Sequence, residues 1–204
     1  MKTLRRVTVF ALCVSVAGCG ILESGKPARQ VYLLQTPSPV GQSNPAASPP
    51  ALIISVKAVP GLDTDRILVL GPDARLVPVA NAHWPDHMPE VFTSITRRYL
   101  SNTEQYHAVR EGSIARPDEW LLELELQAFY GIQGSADVAS SVVLQMEGAL
   151  RCGNLQQVLR VEQQALVRGD NLSILVAAHQ QVIDAGMQEL SAKLSEACKH
   201  SAMD

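Results

Sequence analysis

WLLELELQAFY, at residues 120–130, is the stretch that decides the fold. Between Leu122 and Ala128, apolar residues at even positions alternate with Glu123, Glu125 and Gln127 at odd ones. Successive side chains of a strand point to opposite faces of a sheet. The alternation therefore predicts a strand that is covered on one face and solvated on the other. The covered face is expected to carry Trp120, Leu122, Leu124, Leu126 and Ala128.

Two downstream segments, 138–150 and 155–167, repeat this pattern. The first break spans residues 131–137, and the second is the dipeptide Gly153-Asn154. Breaks this short connect neighbouring antiparallel strands. The three segments therefore predict an antiparallel meander.

Upstream of the meander, runs rich in β-branched residues predict strands at 52–59, 66–70 and 75–80, with a brief one at 31–34. Helical spacing predicts one helix from Met88 to Tyr99, with Asp86 as its N-cap, and a second from Asn171 to about Cys198. The predicted fold class is α/β. A mixed, largely antiparallel sheet ends in the meander and packs against two main helices.

The N-terminus has the layout of a secretory signal, in which basic residues precede the short apolar stretch 7–16. The stretch is shorter than the roughly 20 residues of a spanning helix. Val16-Ala17-Gly18-Cys19 resembles the lipobox of bacterial lipoproteins, which implies cleavage between Gly18 and Cys19 and a diacylglyceryl and N-acyl lipid on Cys19. The alternative is an uncleaved anchor with Cys19 buried in it. Because two or more acyl chains hold a protein stably at a bilayer, the lipidated chain needs no further membrane anchor.

Three segments follow from this interpretation: a signal peptide at 1–18, a lipidated tether at 19–30, and one domain at 31–200. Residues 36–50 contain five prolines and are expected to form a loop within the domain, with a second linker as the alternative. No other cofactor is expected.

Charge limits the partners of the mature chain. Residues 1–18 hold three of the 17 basic residues and none of the 20 acidic ones, so the mature chain has an excess of about six acidic charges. Nucleic-acid binding depends on basic residues that neutralise phosphates, so we expect no nucleic-acid partner. Attachment to the membrane must come from the acyl chains.

Cys152 and Cys198 are predicted to form a disulfide in an oxidising compartment. Cys152 precedes the hairpin tip, and the next strand leads away from it over about 43 Å. The closing helix returns about 40 Å if it packs back along the sheet. The alternative is two unpaired thiols.

Titratable residues offer few candidates for chemistry. His83 and His87 flank Trp84, but Pro85 between them disfavours a metal site on a helix face. Trp84 is interpreted as a structural residue that seals the start of the first helix. His179 is expected to pack partly buried on the second helix. The remaining candidates, interpreted as polar surface rather than as acid–base or nucleophilic groups, are Glu123 with Glu125, Glu147 with Glu162, and Ser135, Ser140 and Ser141. We therefore predict no catalytic residue, no metal ligand and no enzyme activity.

From residue 31 onward the sequence resembles the ABC-type transport auxiliary lipoprotein family, which includes the third component of the paraquat-inducible (Pqi) lipid-transport system. The resemblance rests on Tyr32-Leu33-Leu34, on residues 59–63 (VPGLD) followed by Arg66-Ile67, on Trp84-Pro85, and on the long C-terminal helix.

The resemblance implies an α/β domain at the periplasmic face of the outer membrane. It also implies a transporter partner whose substrate-binding subunit carries an MCE domain, and a role in docking or extending the lipid conduit. Gly20 favours sorting to the outer membrane under the rule of enteric bacteria. Assembly as a homo-oligomer is left open. The alternative function is an envelope-assembly or peptidoglycan-synthase-activating lipoprotein.

Overall fold

The computed structural model describes residues 28–39, 49–134 and 139–199. The predicted signal peptide, Cys19, most of the predicted tether and most of the Pro-rich loop lie outside these residues. Within them, eight strands and two helices form one sheet with a helical layer on one face. The strands are β1 (Gln30–Val31), β2 (Ala51–Ala58), β3 (Arg66–Leu70), β4 (Leu76–His83), β5 (Ala108–Glu111), β6 (Glu119–Gln133), β7 (Ala139–Cys152) and β8 (Leu155–Leu166). The helices are α1 (Met88–Ser101) and α2 (Leu172–Lys199), and Pro60–Leu62 form one 3₁₀ turn.

Strand β6 is the centre of the sheet. One of its edges pairs antiparallel with β7, which pairs in turn with β8. Its other edge is shared by two strands, since β2 runs parallel to its first half and β3 to its last residues. The remaining strands lie outside these: β5 beside β2, β4 beside β3, and β1 beside β4. The predicted α/β fold, with its mixed sheet, meander and two helices, is confirmed.

The helices cover one face of this sheet and form the core with it. α1 packs against β2 and β5, and α2 packs against β7 and β8. The predicted apolar stripes account for this, because Phe92, Ile95, Ile183, Leu190 and Leu194 are all buried in a single cluster with the sheet. The other face of the sheet is the open face.

The alternation in β6 breaks at Gln127, where the pairing register with β7 shifts between Leu126 and Ala128. A bulge adds one residue to a strand and turns the following side chains over. Phe129 consequently joins the core cluster, whereas Ala128 pairs opposite Gln145 and is not part of that cluster. The expectation that Ala128 continues the covered face was wrong.

Three local predictions also need correction. The strand expected at 31–34 is only the two residues Gln30–Val31. Strand β5, which pairs in parallel with β2, was not predicted. The N-cap of α1 is His87 rather than Asp86, and the Asp86 carboxylate instead accepts a hydrogen bond of 2.8 Å from the His87 backbone N–H.

Candidate functional site

The N-terminal segment 28–36 includes the end of the predicted tether, and its residues Gln30 and Val31 pair with β4. Tyr32 and Leu34 pack against the core. The side-chain amide of Gln180, on α2, then fixes the backbone of Gln35. It accepts from the Gln35 N–H at 2.8 Å and donates to the Gln35 carbonyl at 3.0 Å. The segment is thereby attached to both layers of the fold.

A cluster of charged and titratable side chains, which we call the Asp–His cluster, lies where this segment meets the sheet. It comprises Arg29, Asp63, Asp65, His83 and His87. One carboxylate oxygen of Asp65 lies 2.6 Å from the Arg29 guanidinium and 3.0 Å from His83 Nδ1. Separately, Asp63 lies 2.9 Å from His87 Nδ1. These contacts hold the N-terminal segment and the turn before β3 against the end of β4 and the start of α1.

The pKa values in the cluster follow from its pairings. Partial burial acts to raise the pKa of Asp65, but the hydrogen bond to His83 and the charges of His83 and Arg29 lower it overall. The hydrogen bond to Asp63 raises the pKa of His87. Each histidine is held by its own aspartate, so the two rings are not arranged around a common point. Among the described residues, no three His, Cys, Asp or Glu side chains form a group that could hold a metal ion.

Trp84 is the largest fully buried side chain, with 1% of its surface exposed. Its ring centroid lies 5.8 Å from that of Phe129 and 5.2 Å from that of His179. It therefore sits between the start of α1, the sheet and α2, the place expected of a structural residue.

His179 is buried completely, more deeply than the sequence predicts. Its Nδ1 lies 2.9 Å from the Leu175 carbonyl, whereas its Nε2 is buried with no hydrogen-bond partner. The carbonyl requires a proton on Nδ1, so the ring is neutral with its lone pair on Nε2. Burial lowers the pKa of His179 to about 4, although the bond to Leu175 acts to raise it.

The glutamates of the meander lie on the open face and are engaged with neighbours there. Glu147 accepts from Arg160 at 2.5 Å, Glu125 accepts from Gln127 at 2.5 Å, and Glu162 accepts from Gln145 at 2.8 Å. The remaining carboxylate, on Glu123, lies 3.9 Å from the Arg151 guanidinium. These contacts form a polar surface, as the sequence predicts.

A cavity of about 330 Å³ opens at the N-terminal end of α2. Its walls are mostly aliphatic, with Asp170 and Asn171 at the helix start. The lining includes Val69, Val77, Val79, Val167, Leu172 and Leu175.

The other predicted site residues have these positions. Ser140 and Ser141 lie at the start of β7, where the Ser140 hydroxyl donates to the Ile132 carbonyl and Ser141 accepts from Gln164. Cys152 ends β7 beside the hairpin tip, and Cys198 lies in the last turn of α2. The Cys198 side chain is outside the described part, so the disulfide stays a prediction. Gly18, Cys19 and Ser135 also lie outside the described residues.

Comparison with known proteins identifies the family. The model of the ABC-type transport auxiliary lipoprotein component matches residues 32–191, most of the chain. The chain belongs to this family. The auxiliary lipoprotein is thus assigned to a class of ABC transport components, as the resemblance implies. No curated protein matches it.

Two crystal structures share the fold of the auxiliary lipoprotein. A protein from Xanthomonas campestris is 13% identical, with a TM-score of 0.71 over 86% of this chain and 100% of that one. A second, uncharacterised protein is 14% identical, with a TM-score of 0.60 over 83% of this chain and 98% of that one. At this level of identity the likeness shows the fold alone. None of the described helices is both long and apolar enough to cross a membrane.

Sequence interpretation missed two parts of this site: the Arg29–Asp65 pair and the contact between Gln180 and the Gln35 backbone. Both join segments that are far apart in sequence. The spacing of Asp63 and Asp65 around the turn before β3 was the one local signal, since it brings both carboxylates close to the start of α1.

Proposed function

We propose that the auxiliary lipoprotein is a non-enzymatic component of an MCE- or Pqi-type ABC lipid-transport system. In this role it docks or extends the trans-envelope conduit at the periplasmic face of the outer membrane. The observation that carries the proposal is the family match over residues 32–191, preceded at residues 16–19 by a sequence that resembles a lipobox.

The placement of the N-terminal segment supports attachment by lipid. Ala28 lies nine positions after Cys19, and any flexible chain of nine steps has an end-to-end distance of about 15 to 18 Å. The Asp–His cluster then fixes Arg29 to the domain. A domain tethered so closely stays near the bilayer to which Cys19 is anchored.

The pairing of the candidate chemical groups supports a non-enzymatic role. An acid–base catalyst needs a titratable group directed at a substrate. Here His83 and His87 contact aspartates, His179 is sealed among aromatic rings, and the meander glutamates engage neighbouring side chains. His179 and the meander glutamates are therefore engaged within the fold, and the two Asp–His pairs are separate from each other and form no metal-binding group among the described residues.

The anchor is tested by metabolic labelling with a fatty acid. We expect the wild type and a Cys13→Ala control to incorporate label, and Cys19→Ala to incorporate none. In fractionated envelopes the labelled proteins should be found with the outer membrane. If the wild type takes up no label, the anchoring proposal is wrong.

The partner is tested by affinity purification of the full chain from detergent-solubilised envelopes. An MCE-domain protein should co-purify with the wild type. Recovery of a peptidoglycan synthase without any MCE-domain protein would instead support the alternative function, an activating lipoprotein.

A further inference from the structure

The outer edge of β8 is a long strand edge with which no described strand pairs. β8 pairs with β7 over twelve residues, from Leu155 to Leu166, without a register shift. Edge strands are normally protected against pairing by charged side chains, especially lysine, by proline, by bulges or by short length. β8 has no proline, lysine or bulge, and its two charged residues, Arg160 and Glu162, are opposite in sign. Two apolar side chains on its open face, Val158 and Leu166, are 78% and 64% exposed. The edge is therefore suited to accept another strand.

The hydrogen-bonding parity of β8 fixes which residues would bond across this edge. Cys152 and Leu155 close a two-residue hairpin, so odd-numbered residues of β8 direct their N–H and C=O groups toward β7. The Val167 N–H follows the same rule, since it donates to the Ser140 carbonyl. Even-numbered residues from 156 to 166 therefore direct their backbone groups outward.

We infer that the partner of this edge is the β8 edge of a second copy of the chain, in antiparallel register with a two-fold axis beside Val161. That register places Arg160 opposite Glu162 of the second copy, and Glu162 opposite Arg160 of the second copy. About twelve backbone hydrogen bonds form between outward-facing residues. Opposite charges facing each other across antiparallel strands are stabilising.

Competing registers lack this complementarity. An axis beside Arg160 sets that residue against its own copy, and an axis beside Glu162 does the same with two carboxylates. Like charges directly opposite are destabilising. An axis beside Leu159 sets Arg160 against Val158 and Glu162 against Gln156. An axis beside Gln163 sets Arg160 against Leu166 and Glu162 against Gln164. The register beside Val161 alone pairs both charges.

Charges already on the open face extend the match. Arg160 contacts Glu147 on β7, and Glu162 contacts Gln145. In the dimer, a row of side chains runs from Glu147 through Arg160 to Glu162 of the second copy, with alternating charge.

The helical layer fits the same arrangement. α2 packs on both β7 and β8, so the two copies of α2 would lie two strand spacings apart, about 9.6 Å. Packed helices are separated by about 8 to 10 Å. Gln163 of β8 donates a hydrogen bond to Glu189 of α2. Glu189 therefore lies on the side of α2 that is nearest to the free edge of β8. Ala185 and Ala192, four residues before and three after Glu189, lie on that side, and their small side chains permit close approach.

The test is a charge-reversal series in the full chain purified in detergent. Arg160→Glu and Glu162→Arg each set like charges against each other at both positions around the axis, whereas the double variant restores attraction. We expect each single variant to weaken dimerisation at least about tenfold, and the double variant to recover it. Mixing the two single variants should give a heterodimer, because every facing pair is then opposite in charge.

Dissociation constants can be measured by sedimentation or fluorescence correlation, with circular dichroism confirming that each variant is folded. Val158→Pro gives a second measurement, because it removes an outward N–H and should disrupt the dimer. Gln156→Glu is the control, since it changes the charge at the edge opposite Leu166 and should have little effect. A monomeric wild type, or association that neither charge reversal nor Val158→Pro weakens, would overturn the inference.

Discussion

Acidification should destabilise the domain through His179. This ring is neutral in the folded chain, with a pKa of about 4, against an ordinary value of 6.5. Below pH 6.5 the unfolded chain binds a proton at this residue that the folded chain does not, so stability falls as pH falls. The loss continues to about pH 4 and then stops. A difference of about 2.5 pKa units corresponds to about 3.4 kcal/mol, a large share of the 5 to 15 kcal/mol typical of a domain.

The assay is urea unfolding at constant ionic strength between pH 7.5 and 4.5. His179→Phe keeps an aromatic ring against Trp84 and Phe129 but cannot titrate, so its free energy of unfolding should depend less on pH by about 1.4 kcal/mol per unit. His87→Gln is the matched control. The hydrogen bond to Asp63 raises the pKa of His87. The contribution of His87 to folding stability is therefore present below its ordinary pKa and is lost as pH rises, so its pH dependence is opposite in sign to that of His179. Parallel pH profiles for the wild type and His179→Phe would refute the reasoning.

The remaining predictions concern packing and covalent structure. Trp84→Ala should lower the free energy of unfolding by about 3 to 5 kcal/mol, because it empties a buried aromatic site; an unchanged melting temperature would contradict the structural role. Gly148→Ala would bring a Cβ atom within 2.1 Å of a β6 backbone carbonyl and should cost about 1 to 3 kcal/mol or more, whereas Gly61→Ala, with its nearest atom at 3.6 Å, serves as the control in the same melting experiment. Mass spectrometry without reductant should find Cys152 and Cys198 linked, and alkylation of both thiols in the native protein would exclude the bond.

Sequence patterns predicted the parts of the fold in which burial is periodic. β3 has the predicted bounds, and the apolar stripes of α1 and α2 predicted which faces are buried. The bulge at Gln127 escaped prediction because either phase of the strand offers an apolar residue, Ala128 or Phe129, to the core. β5 was missed because its four residues, AVRE, show no alternation long enough to recognise. Its position depends instead on pairing with β2.

The candidate site was less accessible from sequence, because its contacts depend on tertiary structure. The sequence gives no reason to pair Arg29 with Asp65, or Gln35 with Gln180 across 145 positions. The burial of His179 was underestimated for a similar reason. Its surroundings include Trp84 and Phe129, which come from the start of α1 and from the strand residue after the bulge.

The contact between Gln180 and the Gln35 backbone has a mechanical consequence. A force applied to the N-terminal segment reaches the domain at Ala28. It is resisted first by the Arg29–Asp65 pair and by the two-residue pairing of β1 with β4. The two hydrogen bonds between the Gln180 side-chain amide and the Gln35 backbone come next along the chain. Between these attachments, Tyr32 and Leu34 pack against the edge of the core cluster. All these attachments are short, so we expect them to yield in sequence while β6 and both helices stay packed. The length released, about eight residues or some 25 Å of extended chain, would let the domain move farther from the anchor proposed at Cys19 without unfolding.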